Sequence, residues 1–390
     1  MFRLFTISLT LWALFSNAGL AQSLKGKVLQ QSFSGPITKQ TVLYNIYLPE
    51  GYDTSTEKYP VIYHLHGING SQGGNQNTTV PASFESAKQA GLIGPVIVVF
   101  PNGYTNSMWA DSKNGAKPAE TNIVPELIAH VDSAYRTLAE RRYRVISGFS
   151  MGGFGAAKFI AKFYRLFSVC VIYDGAIHTW QTLQSNHPDI GSEIFNNDEA
   201  YFNQYSPWQF AGLNATALRD SVKLRMVVGA LTNYNRTFRD HLTALNIPFE
   251  YLETACAHNF GCLLDAEGVN SAAFIARSMA TPTGVETTFA TLPQGFALQQ
   301  NYPNPFWSGA TSRSAGNPST VIRFQLPVNS HVTLQVFDVN GREVATLVNR
   351  VFNPGEHAVV LSARELASGV YFYQLHAGKF VDAKKLLLME

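Results

Sequence analysis

Along the first 280 residues, short apolar runs alternate with longer amphipathic stretches. Residues 24–34 and 40–48 alternate apolar and polar positions and predict two opening antiparallel strands, with Val42, Tyr44, Ile46 and Leu48 facing one way. The run from Tyr59 to Leu65, apolar but for His64, predicts a buried strand that empties into the glycine-rich stretch Gly67-Ile-Asn-Gly-Ser-Gln-Gly-Gly74. A second buried strand, Pro95 to Phe100, follows a helix expected around 83–90, and residues 101–119 form a long polar loop carrying Trp109 and Asp111. A helix at 121–138 leads to the strand that begins at Arg144. Further strands are expected at Phe167 to Tyr173, Leu224 to Val228 and 248–253. Helices are expected at 153–164, 235–245 and 263–279, with an irregular insertion reaching about residue 222. Strands alternating with helices imply an α/β fold with a mostly parallel sheet covered on both faces, so reactive groups are sought at the carboxyl ends of its strands.

The pattern changes after Ala280. Residues 281–300 contain Thr-Pro-Thr-Gly and Leu-Pro-Gln-Gly and read as a linker. Beyond it come short alternating segments, Val321 to Leu326, Val332 to Val336, His357 to Leu361 and Val370 to Leu375, with Asn340-Gly341 as a tight-hairpin signal. These predict a small all-β sandwich over 301–390. It holds no convergent set of nucleophile, base and acid.

The length of 390 residues suits two domains, and a net charge of +2 with 14% charged residues gives no basic surface for nucleic acid or an anionic membrane. At the amino terminus, Arg3 precedes the apolar run Leu4 to Phe15, and Gly19-Leu20-Ala21 places small residues before Gln22. Residues 1–21 therefore read as a secretory signal peptide, since the run is shorter than the ~20 residues of a membrane span. The mature chain is expected to be exported, with no transmembrane segment and with 22–280 as its first domain. Cys256 and Cys262 lie close enough in one loop to pair, whereas Cys170 sits in an apolar strand as a buried thiol. Their spacing forms no zinc pattern, and no metal or cofactor is called for.

Candidate chemistry centres on Gly148-Phe-Ser-Met-Gly152, which follows a β-branched strand and opens a glycine- and alanine-rich helix. A serine at such a turn is held with its hydroxyl above the sheet, which makes Ser150 the candidate nucleophile. A serine hydroxyl needs a base, and His258, a few residues after the last expected strand, is placed to serve. Backbone N–H groups of Met151, beside the nucleophile, and Ile68, after His66-Gly67, are the candidate oxyanion donors. His66 itself reads as a structural hydrogen-bonding residue. Trp109, Trp180 and Tyr173 are candidate stacking surfaces for an aromatic acyl group, or equally core packing.

The segments His64-Leu-His-Gly-Ile-Asn-Gly-Ser71, Gly148-Phe-Ser-Met-Gly-Gly153 and His258-Asn-Phe260 resemble the esterase family that includes esterase D, feruloyl esterases attached to xylanases, and mycolyltransferases. The resemblance spans about residues 24–280. It implies an α/β-hydrolase fold and a Ser–His–acid carboxylesterase, with Ile68 and Met151 as oxyanion donors and feruloyl or acetyl esters of plant polysaccharide as leading substrates. That family carries its acid after the strand that ends here at Val228-Gly229, where this chain reads Gly229-Ala-Leu-Thr-Asn-Tyr-Asn235 without a carboxylate. Asp174, at the end of the preceding strand, is the candidate acid. Asn233 as an uncharged orienting group stays open, and Asp240 lies too far into the next helix. An acyltransferase using the same residues, or a binding protein on a hydrolase scaffold that lacks its acid, are the competing readings.

Residues Asn301-Tyr-Pro-Asn-Pro-Phe306, Val336-Phe-Asp-Val-Asn-Gly-Arg-Glu-Val344, Leu366-Ala-Ser-Gly-Val-Tyr-Phe-Tyr373 and Lys384-Lys385 resemble the type A C-terminal sorting domain of the type IX secretion system. This implies engagement of that machinery and export through the periplasm of a Bacteroidetes-like bacterium to the cell surface or medium.

Overall fold

A computed structural model describes residues 24–280, 295–301, 304–307, 319–328, 330–352, 355–362 and 366–389. The expected signal peptide, most of the expected linker, and Tyr302 and Pro303 of the sorting motif lie outside these residues. Eight strands form one sheet: β1 (Lys27–Ser34), β2 (Thr41–Leu48), β3 (Val61–Leu65), β4 (Ile97–Pro101), β5 (Arg144–Phe149), β6 (Val169–Tyr173), β7 (Lys223–Val228) and β8 (Glu250–Glu253). Their spatial order is β1-β2-β4-β3-β5-β6-β7-β8. β1, β2 and β4 pair antiparallel, and β4, β3, β5, β6, β7 and β8 run parallel. From β3 the chain steps outward to β4 and then returns to the other side for β5. The order thus reverses between β3 and β5, and the carboxyl ends there form the crevice in which such sheets place ligands.

Strands β3 to β7 are buried nearly end to end, the signature of a sheet covered on both faces. On one face, α1 (Gln76–Gln89) and α11 (Phe260–Ala280) seal the sheet with Val80, Phe84, Leu263 and Phe274. The other face is covered by α2 (Ala119–Thr121), α3 (Ile128–Ala134), α4 (Met151–Lys162) and short helices described below, through Ile123, Leu127, Val131, Phe154 and Phe159.

Three helical segments differ from the expectation. α1 starts at Gln76 rather than near residue 83; its first turns are polar and carry Pro81, which lacks the N–H that would bond to the Asn77 carbonyl, and so they escape a reading by apolar periodicity. The helix expected at 121–138 is broken into α2, a π-helical turn at Asn122–Leu127 around Pro125, and α3. The insertion read as irregular folds into five short helices: α5 (Trp180–Asn186), α6 (Pro188–Phe195), α7 (Glu199–Asn203), α8 (Pro207–Leu213) and α9 (Ala215–Ser221). None is long enough to show a helical period. Their starts are nevertheless set locally, by a Thr179–Thr182 capping box, the Asp198 cap, and prolines at the first position of α6 and α8. α10 (Thr232–Ala244) and β8 complete the α/β part before α11.

The carboxyl-terminal part is all β. It comprises β9 (Ala297–Leu298), β10 (Phe306–Trp307), β11 (Ser319–Leu326), β12 (Ser330–Phe337), β13 (Glu343–Phe352), β14 (Gly355–Ser362), β15 (Gly369–Ala377) and β16 (Phe380–Met389). A five-stranded sheet, β10-β16-β15-β12-β13, faces a three-stranded one, β14-β11-β9, across a core of Phe306, Ile322, Phe324, Leu334, Tyr373 and Leu386. β13 escapes the sequence pattern because it is a mostly exposed edge strand with two register shifts against β12. In β16 the Lys384-Lys385 pair and the leucine run mask the alternation. Asn340-Gly341 does turn a hairpin, but through the five residues 338–342, with Gly341 at φ +77° and Asp338 Oδ1 accepting the Asn340 and Arg342 N–H groups.

Candidate active site

The link between β5 and α4 is as tight as the glycines suggest. A Cβ on Gly148 would lie 2.2 Å from the Gly152 carbonyl oxygen, and one on Gly152 would lie 2.0 Å from that of Leu65, so neither position admits a side chain. Between them Ser150 takes φ 58°, ψ −117°, a strained conformation for any residue but glycine. Its backbone is over-determined by neighbours: its N–H donates to Tyr173 O at 3.1 Å and its carbonyl accepts from Ala176 N at 2.9 Å.

His258 reaches this serine from the loop after β8. Its Nε2 lies 2.9 Å from Ser150 Oγ, and its Nδ1 lies 2.6 Å from Asp174 Oδ2. With Nδ1–H donating to the carboxylate, Nε2 is left as the acceptor of the serine hydroxyl. The Phe149 ring stacks on the imidazole at 4.6 Å, and Phe260 stacks on Phe149 at 5.2 Å, so the histidine is held in plane as well as at both nitrogens. Cys256 and Cys262 form a disulfide that closes the short loop around His258, with Cα atoms 5.8 Å apart. Cys170 is a buried free thiol, its pKa pushed up by burial.

Asp174, the candidate acid, is the carboxylate that meets His258. Asp174 leaves β6 with φ 41° and is fully buried. While Oδ2 meets His258, Oδ1 accepts the Gly229 N–H at 2.9 Å and the Leu231 N–H at 3.0 Å. The segment after β7, which lacks a carboxylate of its own, thus cradles the one that β6 supplies. Asn233 is exposed on α10 and makes no contact with His258, and exposed Asp240 pairs with Arg239.

Across the crevice, Gly67 sits directly against the nucleophile: a Cβ there would be 3.3 Å from Ser150 Cβ. The Ile68 N–H that follows has no acceptor among the described residues, and Met151 N–H, at the first position of α4, has no helical partner. His66, which the sequence marks as structural, bonds through both ring nitrogens, to Gly67 O and Gly103 N, and burial lowers its pKa to about 4. His64 Nδ1 meets Ser147 Oγ at 2.9 Å, and its pKa is pushed to about 3 by burial and then by neighbouring His66.

The three aromatic candidates, open between stacking and core packing, are placed as follows. Trp109 is fully buried beneath the crevice, with Gly103 and Gly155 against its ring and its Nε1 donating to His66 O at 3.3 Å, so it has no free face. Tyr173 is buried edge-on to Phe260. Trp180, at the start of α5, is half-buried against Phe202 and Phe195 and serves as core for the short helices. Sequence reasoning missed Phe149, the variable residue of its own motif, and the Gly229 and Leu231 donors; Leu231 acts through its backbone alone, whereas a Cβ on Gly229 would lie 2.8 Å from Ala257 O and 3.1 Å from Asp174 Oδ2. Among the described residues no cluster of three or more His, Cys, Asp or Glu side chains is arranged to hold a metal, and no helix is long and apolar enough to cross a membrane.

An esterase of Mycobacterium tuberculosis is 29% identical over 249 residues, covering 55% of this chain and 52% of the relative, so the chain spans about half the length of that protein. An endo-1,4-beta-xylanase/feruloyl esterase of Xylanibacter ruminicola is 32% identical over 140 residues, 33% of this chain and 19% of the relative. A solved ferulic acid esterase superposes with a TM-score of 0.58 at 19% identity, over 66% of this chain and 100% of its own, a likeness of fold. Residues 301–389 match the family described as secretion system C-terminal sorting domain, which marks the protein for export to the cell surface or beyond. Residues 35–244, more than half of the chain, match the family described as Putative esterase, and to that family this chain belongs.

Proposed function

We propose that this protein is an exported serine carboxylesterase. The observation that carries the proposal is the unbroken hydrogen-bonded chain Ser150–His258–Asp174 at the switch point of the sheet. Ser150 Oγ attacks the ester carbonyl carbon while His258 Nε2 takes its proton. The carbonyl oxygen becomes an oxyanion between the Ile68 and Met151 N–H groups, each such donor being worth about 3 kcal/mol to the transition state. His258 returns the proton to the departing alcohol, leaving an acyl-enzyme on Ser150. Water then attacks the acyl carbon, gives its proton to His258, and Ser150 is restored as the acid leaves. Buried Asp174 stabilises the imidazolium in both halves and fixes its tautomer. The side chain of His258 is 35% exposed, which leaves it open to the water of the second half.

Plant cell-wall esters, feruloyl or acetyl, are the substrate class we propose. The shared region with the xylanase/feruloyl esterase and the fold of the ferulic acid esterase support it. We further propose that 22–280 is the catalytic unit, 281–300 a linker, and 301–390 the part that engages the type IX secretion machinery.

Labelling with a fluorophosphonate followed by mass spectrometry is expected to place one adduct on Ser150. Turnover of a short-chain aryl ester should then release free acid even with an alcohol or sugar acceptor present. Transfer of most acyl groups to the acceptor would make the protein an acyltransferase, and absence of both adduct and turnover in folded protein would leave a binding protein.

A further inference from the structure

The oxyanion donor Ile68 sits in a glycine-rich segment whose peptide planes have little intrinsic restraint. What restrains this one is a side chain with no part in proton transfer. His66, at the end of β3, is 3% exposed. Gly103 N–H lies 3.0 Å from His66 Nε2 and, being a backbone amide, can only donate, so Nε2 carries the lone pair and the ring proton sits on Nδ1. From there it is donated to the Gly67 carbonyl oxygen at 2.8 Å, which also accepts the Gly70 N–H at 3.1 Å. The Gly67 C=O and the Ile68 N–H belong to the same planar trans peptide and point in opposite directions. Two donors fixing the carbonyl on one side therefore fix the amide hydrogen on the other, in a peptide whose Gly67 packs against Ser150.

The surroundings lock the imidazole in turn. Trp109 Nε1 donates to the His66 carbonyl, and the Trp109 ring packs on the imidazole with centroids 4.7 Å apart. Asn69 N–H bonds to Thr105 O at 2.7 Å, tying the far side of the Ile68 peptide to the loop that supplies Gly103. We propose that His66 is a positioning residue for the oxyanion hole: its Nδ1 proton holds the Gly67–Ile68 peptide so that the Ile68 N–H faces the developing oxyanion. This rests on the serine esterase reading above.

The test uses the full chain with substitutions His66→Ala, His66→Asn and His66→Gln. The amide nitrogen of Asn falls near the Nδ1 position and that of Gln near Nε2. Aryl-ester kinetics are measured beside the inhibition constant of a matching trifluoromethyl ketone, whose hemiketal oxygen occupies the oxyanion hole. His66→Ala is expected to lower kcat about 100-fold, the loss typical of one oxyanion donor, with KM little changed. Ketone affinity should weaken in step with kcat/KM. His66→Asn should recover most of the loss and His66→Gln should not. Equal impairment of Asn and Gln variants, or loss of kcat with ketone affinity intact, overturns the proposal. If no variant folds, nitrogen NMR of the wild-type ring decides it, a proton on Nδ1 supporting the assignment and one on Nε2 refuting it. A wild-type protein that neither labels at Ser150 nor turns over ester would strike the esterase reading instead.

Discussion

The α/β part and the sandwich spend backbone strain differently. Around the crevice, non-glycine residues take positive φ at Asn69, Tyr104, Met108, Trp109, Ser150 and Asp174. Each such residue costs on the order of 1–3 kcal/mol and persists only where its neighbours over-determine it. In the sandwich, positive φ among the described residues is confined to glycines such as Gly341 and Gly378, which sit in turns. The first region holds the Ser150 hydroxyl and the Asp174 carboxylate on backbone that relaxed loops would not adopt. The second packs alternating side chains into a core, and its one cis peptide among the described residues is Asn304–Pro305. Lys39, Asn196, Asn197 and Asn246 in turns of the α/β part also take positive φ, so such strain clusters at the candidate site without being confined to it.

The contrast can be broken most sharply at Ser150. Ser150→Ala should lower ester turnover by about 10⁴- to 10⁶-fold, as loss of a serine nucleophile does elsewhere. Truncation after residue 280 should leave kcat/KM essentially intact while blocking release from the producing cell. A soluble, folded truncation without activity would show that the two parts share the site. Next in size is the cradle beneath the acid. Leu231 has φ −80°, which proline can adopt, so Leu231→Pro removes one N–H donor to Asp174 with little change of backbone. A hydrogen bond to a buried charge is worth about 1.5–3 kcal/mol, and a fall of roughly tenfold in kcat is expected. Unchanged kcat would mean that the cradle is dispensable. Replacing Cys256 and Cys262 together by serine should lower stability by about 2 kcal/mol, the loop-closure value for so short a loop, and kcat by a few-fold. An unaltered melting temperature would deny the disulfide its part in holding His258.

The gentlest test is by pH. Burial lowers the pKa of His64 to about 3 and those of His66 and His178 to about 4. The unfolded chain, with histidines near their ordinary 6.5, takes up protons that the folded chain refuses. Stability should therefore be unaffected by these groups above pH 6.5 and should fall as pH drops from there toward 4. Each contributes a slope of up to about 1.4 kcal/mol per pH unit. Denaturant titrations at pH 7 and 5 measure it. Equal midpoints would show that these histidines are accessible to protons in the folded state.

Much of this was legible in the sequence, for identifiable reasons. The buried strands announce themselves as apolar runs, and Ser150 and His258, singled out by residue type and position along the chain, lie within hydrogen-bonding distance of one another. What stayed hidden depends on backbone or on tertiary burial. The five helices between Trp180 and Ser221 are too short for periodicity, β13 lies on an edge, and Trp109 turns out to be core although its loop reads as polar. The support of Asp174 comes from backbone amides of Gly229 and Leu231, whose direction no residue type announces, so the sequence could raise Asp174 as a candidate without closing the case against Asn233.

That choice carries the account's central claim, that the acid has moved one strand from the family's usual place while serving the same imidazole. The direct measurement is ester turnover of Asp174→Asn beside Asn233→Asp. The amide keeps the size of the carboxylate but cannot offset the imidazolium charge and can favour the wrong tautomer. Asp174→Asn should therefore fold normally and lose about two to four orders of magnitude in kcat. With Asp174 already serving, Asn233→Asp should change little. Near-normal turnover in Asp174→Asn together with a large gain in Asn233→Asp would contradict the claim and leave His258 without a carboxylate partner in the wild-type protein.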